Sequence, residues 1–125
     1  MTKTDLVVLA VDDDIINLKL LKSMLMKSGH VKEVIEAKNG SDAIGELKGR
    51  DDIDLILLDI IMPIMGGIEM LKVVRADDNL RQLPIIVLTT DETKKAEALE
   101  HGANGFLMKP IRNNDLISKM ETVIV

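Results

Sequence analysis

Three consecutive aspartates, Asp12, Asp13 and Asp14, stand directly behind the apolar run Leu6-Val7-Val8-Leu9-Ala10-Val11. A second apolar run, Ile53 to Leu58, ends in Asp59. Two unpaired carboxylates ~4 Å apart repel by about 4 kcal/mol at an effective dielectric near 20. Acids gathered at one sheet edge therefore push one another toward protonation or demand a cation. Oxygen-only ligands of this kind suit a hard dication such as Mg²⁺. Two further strand-like runs end in groups able to serve the same place: Thr89-Thr90 after Ile85-Ile86-Val87-Leu88, and Lys109-Pro110 after Phe106-Leu107-Met108.

The elements that carry these residues alternate in period. Strands are expected near 5–11, 33–37, 53–58, 84–89 and 105–108, and helices near 15–28, 41–49, 67–76, 92–101 and 112–122. Gly29 and Gly102 are fitting helix stops. Asn39-Gly40-Ser41 and Met65-Gly66-Gly67 are turn signals, and Asp91 is a helix N-cap. Five strand-helix pairs predict an α/β fold, a doubly wound parallel sheet with helices on both faces. Residues 33–37 alternate charged and apolar side chains, which places the second strand at an edge and favours the order 2-1-3-4-5. The crevice then lies at the carboxyl ends of strands one and three. Asp12, Asp13, Asp59, Thr89, Thr90 and Lys109 converge there.

The chain has 125 residues, enough for one domain spanning 1–125. Its 46% hydrophobic content supplies a core without staples. Phe106 is the only aromatic residue and the net charge is −5, so neither base-stacking platforms nor a basic surface for nucleic acid is expected. There is no cysteine, hence no disulfide, thiolate metal site or thiol nucleophile. No apolar run approaches the ~20 residues that cross a bilayer, and the first residues lack a signal-peptide core. A cytoplasmic location is the expectation.

On Val11-Asp12-Asp13-Asp14, Leu58-Asp59-Ile60-Ile61-Met62-Pro63, Leu88-Thr89-Thr90 and Met108-Lys109-Pro110, the chain resembles the two-component response-regulator receiver domains. Each segment alone is weak; their joint order on five strand-helix units is specific. The resemblance implies the flavodoxin-like (βα)5 fold and a phosphoacceptor role for Asp59, which takes a phosphoryl group from a phosphohistidine. It implies Mg²⁺, with Mn²⁺ as an alternative, held by Asp12, Asp13, Asp59 and the backbone carbonyl of Ile61. Lys109, Thr89 and the backbone N–H groups of Ile60 and Thr90 would bind the phosphoryl group. Thr89 and Phe106 would form the switch, and Lys109-Pro110 resembles the family's cis peptide. Phe106 lacks the hydroxyl that many members carry there, and is expected to stay inward. The implied partners are a sensor histidine kinase or a histidine phosphotransfer domain, plus a downstream target. Such a protein is a phosphorylatable switch, not a turnover enzyme.

On the first helix, Asn17, Leu20, Leu21, Met24 and Ser28 are expected to face the core, with Ile15 and Leu18 as partner-docking residues. Ile61 is expected to hinder a water attacking the phosphorylated Asp59, and Asp91 either orients that water or caps its helix. Gly66 departs from the family's frequent Asp or Asn, which bears on loop rigidity. Rival readings fit less well. A haloacid-dehalogenase-type phosphatase needs a second acid where Ile61 stands, and a cap domain. A flavin-mononucleotide binder needs a Ser/Thr/Gly-rich loop where the three aspartates stand. A receiver fold kept only as an interaction module leaves the Asp59, Thr89 and Lys109 set without a use.

Overall fold

The computed structural model describes residues 4–124. Strand and helix alternate as β1 (Leu6–Val11), α1 (Ile15–Lys27), β2 (Val31–Ala37), α2 (Gly40–Gly49), β3 (Leu55–Asp59), α3 (Gly67–Ala76), β4 (Ile85–Thr89), α4 (Lys95–Glu100), β5 (Gly105–Met108) and α5 (Asn113–Val123). The strands form one parallel sheet in the order β2-β1-β3-β4-β5, with β2 at an edge as its alternating pattern implies.

Successive side chains of a strand point to opposite faces, so each strand feeds two cores. Val7, Leu9 and Val11 join Ile56, Leu58 and Val87 beneath α2, α3 and α4. Leu6, Val8 and Ala10 join Leu55, Leu57 and Leu88 beneath α1 and α5. Burial on both faces is why β1, β3 and β4 read as nearly unbroken apolar runs.

Two expectations need correction. The buried stripe of α1 is Leu18, Leu21 and Leu25, not one that includes Leu20. Leu18 is only 1% exposed, packed in the α1–α5 core, so it cannot dock a partner. Leu20 faces solvent instead, while Asn17 and Met24 are half-buried. The helix carries apolar residues on all sides, so its sequence alone leaves the phase ambiguous. Second, the expected single helix over 92–101 is a 3-10 turn, Glu92–Lys94, followed by the short α4. Only Ala98 of α4 is buried, so little packing holds the segment in one regular helix.

Local chemistry sets the turns. Asp14 caps α1 by accepting the Ile16 N–H at 2.9 Å, and Asn39 caps α2 by accepting the Asp42 N–H at 2.8 Å. Gly29 and Gly102, with φ of 81° and 102°, follow α1 and α4 as the expected stops. Gly66 stands at the N-cap of α3 and supplies no side-chain hydrogen bond there.

Candidate functional site

The carboxyl ends of β1 and β3 are neighbours in the sheet, with Val11 in register with Leu58. The residues one step beyond, Asp12 and Asp59, are thereby brought to the same edge, and Asp13 follows Asp12 into the turn before α1. Carboxylate oxygens of Asp12, Asp13 and Asp59 lie within 4.8 Å of one another. Asp12 is buried, Asp59 is 8% exposed and Asp13 is open to solvent. Lys109, from the end of β5, reaches over the edge. Its Nζ donates to Asp12 Oδ2 at 2.7 Å and lies 3.5 Å from Asp59 Oδ1. The Lys109–Pro110 peptide is cis.

The two oxygens of each buried acid are used differently. Asp12 uses both of its oxygens: Oδ1 accepts the Asp14 N–H at 2.9 Å and Oδ2 accepts Lys109. Asp59 Oδ1 accepts the N–H of Ile60 at 2.9 Å, whereas Oδ2 accepts no hydrogen bond among the described residues. Burial pushes the Asp59 carboxyl above the usual aspartate range; Lys109 and the Ile60 N–H pull it down, and Asp12 pushes it up.

Three carboxylates and one ammonium sum to −2, the charge a dication neutralises. The donor set is all oxygen, which matches Mg²⁺. Asp12, Asp13 and Asp59 each offer an oxygen within 4.8 Å of the other two, close enough for one ion between them; Asp12, whose two oxygens already accept hydrogen bonds, would act through water.

Thr89 ends β4 with its side chain buried; its Oγ1 accepts the Asp91 N–H at 3.3 Å. Thr90 is exposed beside it. Asp91 accepts both the backbone N–H and the hydroxyl of Thr93, so it is committed to capping the 3-10 turn. Phe106 is half-buried and packs against the core layer that contains Val87 and Ala98. Around the opening, Ile15 is 53% exposed, and Ile16, Ile61 and Ile64 are exposed as well.

Two positions that sequence reasoning passed over as turn glycines have a stricter role. A Cβ on Gly67 would sit 2.3 Å from the carbonyl oxygen of Asp59. The start of α3 closes onto the β3 end at this point, with Gly67 N–H donating to Ile60 O at 2.8 Å. A Cβ on Gly40 would fall 2.9 Å from the carbonyl oxygen of Met65, to which the Gly40 N–H donates. The β3–α3 loop that follows Asp59 is thus held by two close backbone approaches at glycines, Gly67 against the end of β3 and Gly40 against Met65. The Gly66-Gly67 pair was a visible signal, but its meaning depends on a neighbour that sequence does not show.

Comparison with known proteins agrees with this geometry. The Response regulator receiver domain family matches residues 8–121. The chain is 36% identical to the chemotaxis protein CheY1 of Helicobacter pylori, over 93% of this chain and 94% of that one. It superposes with a TM-score of 0.87 on the receiver domain of a Pseudomonas aeruginosa sensor histidine kinase, solved with a magnesium ion coordinated in its active-site cleft. That pair shares 27% identity and covers 97% of this chain and 98% of the other. The CheX–CheY–BeF₃–Mg²⁺ complex of Borrelia burgdorferi gives a TM-score of 0.86 at 28% identity, covering 96% and 90%. With the sheet order, the acid edge and the family match in agreement, the chain belongs to the response-regulator receiver domains of two-component signalling systems.

Proposed function

We propose that Asp59 is the phosphoacceptor of this receiver domain. The observation that carries this reading is the asymmetry of its carboxylate. Oδ1 is held by the Ile60 N–H and Lys109, while Oδ2 is left with a free lone pair in a nearly buried recess. Oδ2 attacks the phosphorus of a phosphohistidine, the P–N bond breaks, and its electron pair leaves with the imidazole. The product is an acyl phosphate on Asp59. Phosphoryl transfer needs mainly positioning and charge stabilisation.

Asp13, Asp59 and the Ile61 carbonyl would hold Mg²⁺ directly, and Asp12 would hold it through water; the all-oxygen set would also admit Mn²⁺. When bound, the ion neutralises charge on the transferring oxygens. Lys109 and the Ile60 N–H already face Asp59 and receive the new phosphoryl oxygens. The Thr90 N–H and the Thr89 hydroxyl complete the donors, Thr89 by turning away from Asp91. The charge sum supports the set: with a dication it is zero at rest and about −1 after phosphorylation, since the carboxylate charge is replaced by about −2.

Ile61 screens the acyl phosphate from water. Phe106 stays inward and serves packing in the switch. The phosphodonor is a sensor histidine kinase or histidine phosphotransfer domain that touches Ile15, and the output is a downstream protein, not nucleic acid. Among the described residues, no helix is long and apolar enough to cross a membrane; we place the domain in the cytoplasm, acting as a switch without turnover. Incubation with acetyl phosphate and Mg²⁺, read by intact mass, tests the core of this. The wild type should gain about 80 Da, one phosphoryl group, and Asp59→Asn should gain nothing. Equal labelling of the two proteins removes Asp59 from its role.

A further inference from the structure

The segment from Asp91 to Asn104 is held very differently at its two ends. At the start, the Asp91 N–H donates to Thr89 Oγ1 over 3.3 Å, and a 3-10 turn leads into α4. At the end stands Arg75, the last-turn residue of α3. Its Nε and Nη2 donate to the Gly102 carbonyl at 3.0 and 2.8 Å. Its Nη1 donates to the Arg81 and Leu83 carbonyls at 3.0 and 2.7 Å, and Nη2 also to Asn104 Oδ1 at 2.8 Å. All five bonds go to neutral oxygens.

Asn104 then ties this knot to the sheet. Its Oδ1 also accepts the Ile85 N–H at 2.8 Å, and its own N–H donates to Ile85 O at 2.8 Å. Gly102 takes a φ of 102°, and a Cβ there would meet the Arg75 side chain at 2.9 Å. The planar fork of an arginine suits such a fixed array, and lysine cannot reproduce it. Between the two ends only Ala98 is buried.

We infer that Arg75 is a positioning residue that clamps the Gly102–Asn104 end of α4 to α3 and β4, making it a fixed pivot about which the Thr89-tethered end of the segment moves. This rests on the reading of Thr89 as a phosphoryl ligand. When the Thr89 hydroxyl turns toward a phosphoryl group, it gives up the single long bond from Asp91. The loosely packed start of the segment is released while the clamped end stays in place. Motion begun at the site then emerges as a tilt of α4 rather than as general loosening.

The test is residue-resolved amide hydrogen exchange, in Mg²⁺ alone and in Mg²⁺ with beryllofluoride as the phosphoryl mimic. The reporters of the pivot are the N–H groups of His101, Gly102, Ala103 and Asn104, which donate to Glu97, Leu99, Ala98 and Ile85. In the wild type, beryllofluoride should change exchange at 91–97 by at least ~5-fold and at 101–104 by less than ~2-fold. Arg75→Met should speed exchange at 101–104 by ~10-fold or more, with β1 unaffected, and should let the beryllofluoride response spread to the pivot. Arg75→Lys keeps the charge and should give the same pattern; it serves if Arg75→Met does not fold. Exchange at 101–104 unchanged in the variants, or a wild-type response equal at both ends, overturns the clamp. No beryllofluoride response at 59–62 sinks the Asp59 reading and the clamp together, whereas a response at 59–62 with a uniform α4 sinks the clamp alone.

Discussion

Removing the charge at Asp59 should stabilise the metal-free protein, although it abolishes the site. Asp59 and Lys109 are 3.5 Å apart and both largely shielded from solvent. At an effective dielectric near 20 their attraction is about 5 kcal/mol. Asp12 repels Asp59 across no more than 4.8 Å, at least about 3.5 kcal/mol on the same scale. Asp13 adds a smaller repulsion, because it is exposed and screened. These opposing terms nearly cancel, and the cost of burying the carboxylate remains. That is the leading cause of its raised pKa. Asparagine keeps an oxygen for the Ile60 N–H and carries no charge to desolvate.

Asp59→Asn should therefore be more stable than the wild type at pH 7 in EDTA and should melt at a higher temperature. The sign with pH follows from linkage. A carboxyl whose pKa is raised on folding costs nothing below its unfolded value of about 3.8, and the full penalty above its folded one. The gap between variant and wild type should close as pH falls toward 4. Mg²⁺ should also narrow it, because the wild type has the more complete donor set. Urea melts with EDTA and with Mg²⁺, at several pH values, measure all three effects. A less stable variant in EDTA at pH 7, or a gap that ignores both pH and Mg²⁺, refutes the reasoning.

Five further substitutions have expected outcomes. Gly67→Ala drives a Cβ into the Asp59 carbonyl and should cost about 3 kcal/mol in urea melts while slowing labelling by acetyl phosphate. Ile64 is 82% exposed with a φ of 68°; Asn tolerates that backbone better, so Ile64→Asn should gain about 1 kcal/mol, and no gain would show the conformation to be unstrained. Leu18→Ala should cost about 2–5 kcal/mol by opening a cavity, whereas Ile15→Ala should leave stability within about 0.5 kcal/mol and slow phosphotransfer from the protein donor; an unchanged transfer rate removes Ile15 from the docking surface. Ile61→Asn should shorten the lifetime of the phosphorylated protein, read by the decay of the intact-mass adduct, and an unaltered half-life shows that Ile61 does not screen it.

The alternation of strand and helix, the edge position of β2 and the strand ends at which Asp12, Asp59, Thr89 and Lys109 stand were legible in the residue pattern alone. They were so because strands buried on both faces must be apolar throughout, and a parallel sheet delivers all its carboxyl ends to one side. Tertiary structure decided what periodicity leaves degenerate. In α1 apolar residues surround the helix, so only packing against β1, β2 and α5 chose Leu18 for the core and Leu20 for solvent. In 92–101 helical propensity was present, but with Ala98 as the sole buried contact it yielded a 3-10 turn and a short α4. The roles of Gly67 and Arg75 were invisible for the same reason: each is set by a backbone brought near by the fold, the Asp59 carbonyl for one and the Gly102 carbonyl for the other.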